Sequence, residues 1–138
     1  MGKAYTYRCD KCSFEARFNE GHGFLIHPQP LDSYLKSGEI LFHHKTHKAL
    51  LKFGGKGKGF FLDAGFKIYK CPQCGLLYDK VDVTVYDDGK PVHKSEFRCS
   101  RCRSRLKLTN IHRLKKAVCP ACGKNTFRFD PRKMVLWD

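Results

Sequence analysis

The chain has 138 residues, with 27 Lys and Arg against 13 Asp and Glu, and a formal net charge of +14. That length suits one domain or two very small ones, and halves of about 70 residues need staples beyond their hydrophobic cores. No apolar run approaches membrane-spanning length, which argues against a helical membrane protein, and the start MGKAYTYRC has no apolar leader ahead of its first cysteine.

All eight cysteines fall in Cys-x-x-Cys pairs, the first being Cys9/Cys12. Two intervening residues let the backbone turn so that both thiolates point at one tetrahedral ion. A disulfide scaffold has no reason to use that single spacing throughout. With no leader expected, the compartment reads as reducing and cytoplasmic, and the metal as zinc, two structural Zn2+ ions per chain. The opening hexapeptide also fits the loose myristoylation pattern, which arises often by chance.

The segment LDSYLKSGEILFHHKTHKALLKF, residues 31–53, places Leu31, Tyr34/Leu35, Leu41/Phe42, Leu50 and Phe53 at near-helical spacing. Asp32 or Ser33 offers an N-cap, Gly38 is a natural break, and Gly54-Gly55 is a natural end. Glu39, His43 and His47 would share a helix face, read as a solvated polar face in preference to a third metal site. The loop from Gly54 to Gly59 carries Lys56 and Lys58, an accessory phosphate contact at most, because the P-loop pattern is absent.

Tyr69-Lys70-Cys71 repeats the flank of Tyr7-Arg8-Cys9, and Phe97-Arg98-Cys99 repeats it again, which suggests strands running into metal-binding turns. Cys71-Pro72-Gln73-Cys74-Gly75 and Cys119-Pro120-Ala121-Cys122-Gly123 end on a glycine suited to positive φ, whereas Ser13 and Arg103 stand there in the other two pairs. Val81, Val83 and Val85 alternate with Asp82, Thr84 and Tyr86, and Asp88-Gly89 marks a two-residue hairpin turn.

Charge is concentrated near the C-terminus. Residues 90–138 hold 14 Lys and Arg against 3 acids, and no acid occurs between Phe97 and Arg128. On a strand, Arg103, Arg105 and Lys107 would face outward while Leu106 and Leu108 face inward, and a facing strand would put Arg128 outward between Phe127 and Phe129. Arg113, Lys115 and Lys116 lie on the connection. A face of one sign suits phosphates, with arginine planes for unpaired bases. Arg98 and Arg101 sit on the turn itself, where offsetting thiolate charge is the simpler account.

The cysteine pattern resembles zinc ribbons, in which two such turns at hairpin ends share one ion. The resemblance implies a small metal-bound α+β fold of two zinc-ribbon β-hairpin modules, with a helical insertion in the first, and no particular activity. Sequence neighbours usually meet, so the favoured division is residues 1–80, joining Cys9/Cys12 to Cys71/Cys74 around an insertion at 20–62, then a linking hairpin at 81–96, then a basic ribbon at 97–138 joining Cys99/Cys102 to Cys119/Cys122. In the rival pairing, Cys71/Cys74 meets Cys99/Cys102 and the outer pairs close the other site. That spacing is similar to the ribbon of transcription-elongation cleavage factors, whose hairpin tip carries an acidic pair, with Asp87-Asp88 on the corresponding hairpin here.

The expected function is non-catalytic binding of nucleic acid, DNA or RNA, or of a nucleoprotein complex, through the basic C-terminal ribbon. An adaptor that docks a protein partner on the helical insertion is the alternative, and a polymerase-cleft factor acting through Asp87 and Asp88 is the third. Catalysis is the weakest reading, because every cysteine is assigned to metal and no serine has an evident base. No small-molecule substrate is evident.

Overall fold

A computed structural model describes residues 2–23, 26–54, 59–114 and 116–137. The chain begins with a hairpin whose tip is the first cysteine pair: β1 (Gly2–Cys9) runs in and β2 (Glu15–Gly21) runs back antiparallel to it. Glycine is required at position 2, because the Trp137 ring occupies the space a side chain would need. A short β3 (Gln29–Pro30) then leads into α1 (Leu31–Ser37) and α2 (His44–Leu51).

Gly38 separates the helices, taking a left-handed conformation at φ 73°. The expected N-cap is corrected. The first helix starts at Leu31 behind Pro30, with no side-chain cap, so Asp32 lies inside its first turn. Proline's fixed φ leads the chain into the helix without help from Asp32 or Ser33. Helices of seven or eight residues are marginal alone and are held by packing. Leu31, Tyr34, Phe42 and Leu50 lie against Leu62, Ala64, Val83 and Val85 of the following hairpin, and form one buried cluster.

That second hairpin is the longest element: β4 (Phe60–Lys70) and β5 (Leu77–Asp87) pair in unbroken register with the second cysteine pair at their tip. Asp88 and Gly89 turn the chain at φ 50° and 80°, the two positive values a type I′ turn needs, and β6 (Lys90–Lys94) returns along β5. The expected alternation along β5 holds, and both of its faces are covered near the middle of the strand. Val83 and Val85 are buried on one face, and Asp82 and Thr84 are buried on the other.

After the third cysteine pair, β7 (Lys107–Leu108) joins the edge of β4. After the fourth, β8 (Phe127–Phe129) joins β1, and β9 (Val135–Trp137) pairs further along the same strand. The sheet order is β6-β5-β4-β2-β1-β8. The second hairpin system is therefore nested in sequence inside the first. No helix among the described residues is long and apolar enough to cross a membrane.

Candidate metal centres

All four cysteine turns adopt one backbone geometry. In each, the N–H of the first cysteine bonds the carbonyl five residues on, and the residue after the second cysteine bonds back to the first cysteine's carbonyl, at 2.8 to 3.1 Å. That following residue has positive φ every time: 64° at Ser13, 74° at Gly75, 65° at Arg103 and 75° at Gly123. Two non-glycine residues thus sit where side chains cost about 1–2 kcal/mol. Ser13→Gly relieves this strain but adds about 0.5–1 kcal/mol of unfolded-state entropy, so a net gain of about 0.5–1 kcal/mol in urea unfolding with metal in excess is expected.

The turns meet in two groups: Cys9, Cys12, Cys119 and Cys122, and Cys71, Cys74, Cys99 and Cys102, with all four sulfur atoms of each within 4.8 Å of one another. This corrects the sequential pairing. The physical reason is strand exchange: the short strand leaving the third turn pairs with β4, which feeds the second turn, and the strand leaving the fourth pairs with β1, which feeds the first. Sheet pairing brings the cysteines together, and separation along the chain does not.

The sulfur geometry fits a tetrahedral ion. The Sγ separations are 3.6 Å for Cys9–Cys122, 3.5 Å for Cys12–Cys119 and 3.4 Å for Cys71–Cys102. Four thiolates around zinc lie about 3.8 Å apart. In each pair the first cysteine is buried, and the second is half-buried or exposed.

The donors around the sulfurs favour thiolates. Burial alone would raise Cys9, but the Thr126 hydroxyl and the N–H groups of Cys12 and Lys11 outweigh it and bring its pKa down to about 6. Cys99 is likewise brought to about 6: burial opposes, while the Tyr78 hydroxyl at 3.2 Å and the N–H groups of Cys102 and Arg101 prevail. Cys12 and Cys74 are pushed up to about 12. For Cys12 the Phe14 N–H pulls the other way, but burial and the neighbouring thiols win; for Cys74 the Cys102 thiol is the main cause, followed by burial. A set in which one thiol ionises readily and its neighbour resists is one that a divalent cation would complete. Comparison with protein-family models, with curated proteins and with solved structures returned no match. The chain thus has two four-cysteine clusters able to hold metal ions, in hairpins consistent with zinc-ribbon-like modules.

The expected basic face is redistributed. Arg103 is exposed on its turn, its carbonyl accepting from Arg98 at 3.0 Å. Arg105 is ion-paired with Glu96 at 2.6 Å, and Arg128 with Asp10 at 2.9 Å. Arg128 does not face the 103–107 strand, because β8 pairs with β1 in the outer system. Leu106 is buried as expected, but Leu108 is 62% exposed, since β7 is only two residues long. Arg113 and Lys116 are exposed on the connection between the two systems. Lys56, Lys58 and Lys115 lie outside the described residues.

The helical cluster is also resolved. Glu39 lies between the helices, His43 caps α2 through the Lys45 N–H, and His47 Nδ1 lies 3.0 Å from the Tyr34 hydroxyl. The only metal-capable groups among the described residues are the two cysteine sets.

One basic feature escaped the sequence. Four cross-strand pairs set like charges opposite each other: Arg8 and Arg128, Lys67 and Lys80, Arg98 and Arg105, Lys70 and Lys107. Such pairs are destabilising unless neutralised. Asp10, Asp82 and Glu96 serve the first three. Among the described residues no carboxylate pairs with Lys70 or Lys107. They line a groove of about 560 Å³ between the two cysteine systems, with Gln73, Asn125, Thr109 and Leu108 and no acidic residue. Arg101, donating to the Pro120 carbonyl at 2.9 Å, ties the third turn to the fourth beside it. Only the base before Cys71 hinted at Lys70, and its partner depended on the unforeseen pairing of β4 with β7.

Proposed function

We propose that this protein is a non-catalytic zinc-ribbon-like protein that binds nucleic acid, or a nucleoprotein complex, with two structural zinc ions holding its hairpins. Four thiolates at tetrahedral spacing suit zinc, and by closing its coordination they leave no position for substrate, so the ions would be structural. One observation carries the nucleic-acid reading: Lys70 and Lys107 stand opposite each other, unneutralised, in an acid-free groove between the two centres. Like charges held together at a cost to stability suit a polyanion that relieves the repulsion. Arg103, Arg113 and Lys116, exposed nearby in sequence, add candidate phosphate contacts, and Leu108 offers an apolar surface for a base.

The test is a salt series with labelled single- and double-stranded oligonucleotides. Lys70→Ala/Lys107→Ala is expected to weaken binding roughly tenfold at low salt and to flatten the log–log salt slope by about 2 on duplex, one unit per lost phosphate contact. No binding by the wild type at low salt, or an unchanged slope in the variant, would remove this reading.

A second reading has one observation in its favour. The inner centre joins Cys71/Cys74 to Cys99/Cys102, and the β5–β6 hairpin, paired along β5 with β4, has Asp88 exposed at its tip. A polymerase-cleft factor would use that pair, and loss of polymerase-dependent transcript cleavage in Asp87→Asn/Asp88→Asn would separate this reading from the first.

A further inference from the structure

Among the described residues, part of the outer edge of strand β5 is covered by no other strand. Towards the hairpin tip its outer side is occupied: Ser95 N–H bonds the Val83 carbonyl at 2.9 Å, Val83 N–H bonds Ser95 Oγ at 2.9 Å, and β6 pairs from Thr84 to Asp87. Towards the cysteine turn no strand among the described residues follows. Main-chain groups alternate sides along an antiparallel strand, and the β4–β5 register has no bulge. Asp79 and Val81 therefore aim their N–H and C=O groups the same way as Val83, away from β4. Among the described residues no hydrogen bond takes those groups.

This edge is the floor of a groove of about 660 Å³. Leu41, Phe42 and Lys45 of the helical insertion form one wall, and Phe97, Arg98 and Arg103 beside the third turn form the other. The groove has an excess of free positive charge. Its two acids are outnumbered: Glu96 is ion-paired with Arg105 at 2.6 Å, and Asp79 keeps its charge while accepting the Asn19 N–H at 2.8 Å. Lys45, Lys80, Arg98 and Arg103 have no carboxylate partner among the described residues. Apolar walls, a basic rim and an open main-chain edge are the parts of a strand-addition site, in which backbone bonds give affinity and the walls select side chains.

We propose that this groove binds an extended acidic peptide segment, added as a further strand to the open edge of β5 at Asp79 and Val81. The donors and acceptors there repeat at the spacing of a polypeptide backbone, which a phosphodiester chain does not match, and the basic rim selects Glu or Asp along the added strand. The site is separate from the Lys70/Lys107 groove and stands whether or not that groove binds nucleic acid.

Hydrogen exchange on the metal-loaded full chain tests this, with an alternating Val-Glu octapeptide as the probe. In the free protein the Asp79 and Val81 amides are expected to exchange fast, while Lys80 and Asp82, bonded to β4, stay protected. Millimolar octapeptide should slow Asp79 and Val81 by roughly tenfold or more, and the matching Val-Lys octapeptide should not. Lys45→Glu/Lys80→Glu, with its metal content checked, should lose the effect, whereas Lys70→Ala/Lys107→Ala should keep it. No slowing by the Val-Glu peptide, equal slowing by the Val-Lys peptide, or slowing by oligothymidine in place of peptide would each overturn the proposal.

Discussion

Stripping metal from both centres with a chelator at pH 7 is expected to unfold the chain cooperatively and not merely to loosen two turns. Apparent binding free energies for structural zinc run to about 10–16 kcal/mol at pH 7, as large as or larger than the roughly 5–15 kcal/mol that holds a typical domain together. Two of the three apolar clusters among the described residues include the cysteines directly. Cys9 and Cys119 belong to the cluster of Tyr5, Tyr7, Phe18 and Phe127, and Cys71 and Cys99 to that of Tyr69, Leu76 and Leu106. Loss of the ions leaves crowded thiols inside both, and strands as short as β7 and β8 then have little to hold them. Far-ultraviolet circular dichroism and near-ultraviolet tyrosine signals should collapse together on chelation and return with metal.

Acid should act in the same direction. Cys9 and Cys99 have folded pKa values of about 6, below the ordinary thiol value of 9.0. A group depressed in this way adds stability that is fully present above its unfolded pKa and is lost as pH falls through the folded one. Because the metal needs every ligand deprotonated, its affinity should fall as pH drops, and a chromophoric chelator should take up metal more readily at lower pH.

Asp82→Ala should be the most damaging single change away from the cysteines. Its carboxylate is 4% exposed and accepts from the Tyr69 hydroxyl at 3.1 Å and from Ser95 Oγ at 3.2 Å, while Lys67 Nζ lies 2.9 Å from its second oxygen. Removing it strands two hydroxyls and one half-exposed ammonium, at a cost of about 3 kcal/mol. Asp82→Asn keeps an acceptor and should cost about 1 kcal/mol. Tyr69 gives an independent signal. Its phenol is held well above 10.0 by burial first, and then by the charge and hydrogen bond of Asp82. Spectroscopic titration of the alanine variant should show it ionising at lower pH, and an unmoved titration would mean that Asp82 does not govern it.

Local features were legible because local chemistry dictates them. Asp88-Gly89 turns as its positive-φ requirement demands, Gly38 breaks the helical stretch, and every cysteine lies in a metal-compatible turn. What the sequence left open was long-range. Nothing in Cys9 or Cys119 announces that they meet, because the choice is made by β1 accepting β8 and β4 accepting β7, each through a strand of only two or three residues. The burial of Asp82 was not legible, because alternation along β5 takes no account of the segment around Ser95 that covers its second face. The charge map failed for the same reason: Glu96 and Asp10 lie outside the acid-free tract in sequence, yet beside Arg105 and Arg128 in space. Lys70 and Lys107, 37 positions apart in sequence (107 minus 70), are brought opposite each other by that strand pairing alone.

The nested arrangement of the two centres is the claim on which the rest depends, and metal stoichiometry in paired cysteine variants tests it most directly. Cys9→Ser/Cys119→Ser removes two ligands from one centre, so one ion per chain should remain. Cys9→Ser/Cys71→Ser removes one ligand from each, so both sites should weaken and tight binding should fall towards none. Joining the pairs in sequence order would reverse these results: the first variant would lose both ions and the second would keep one. Finding that reversal would contradict the nested fold, and with it the groove between the two centres.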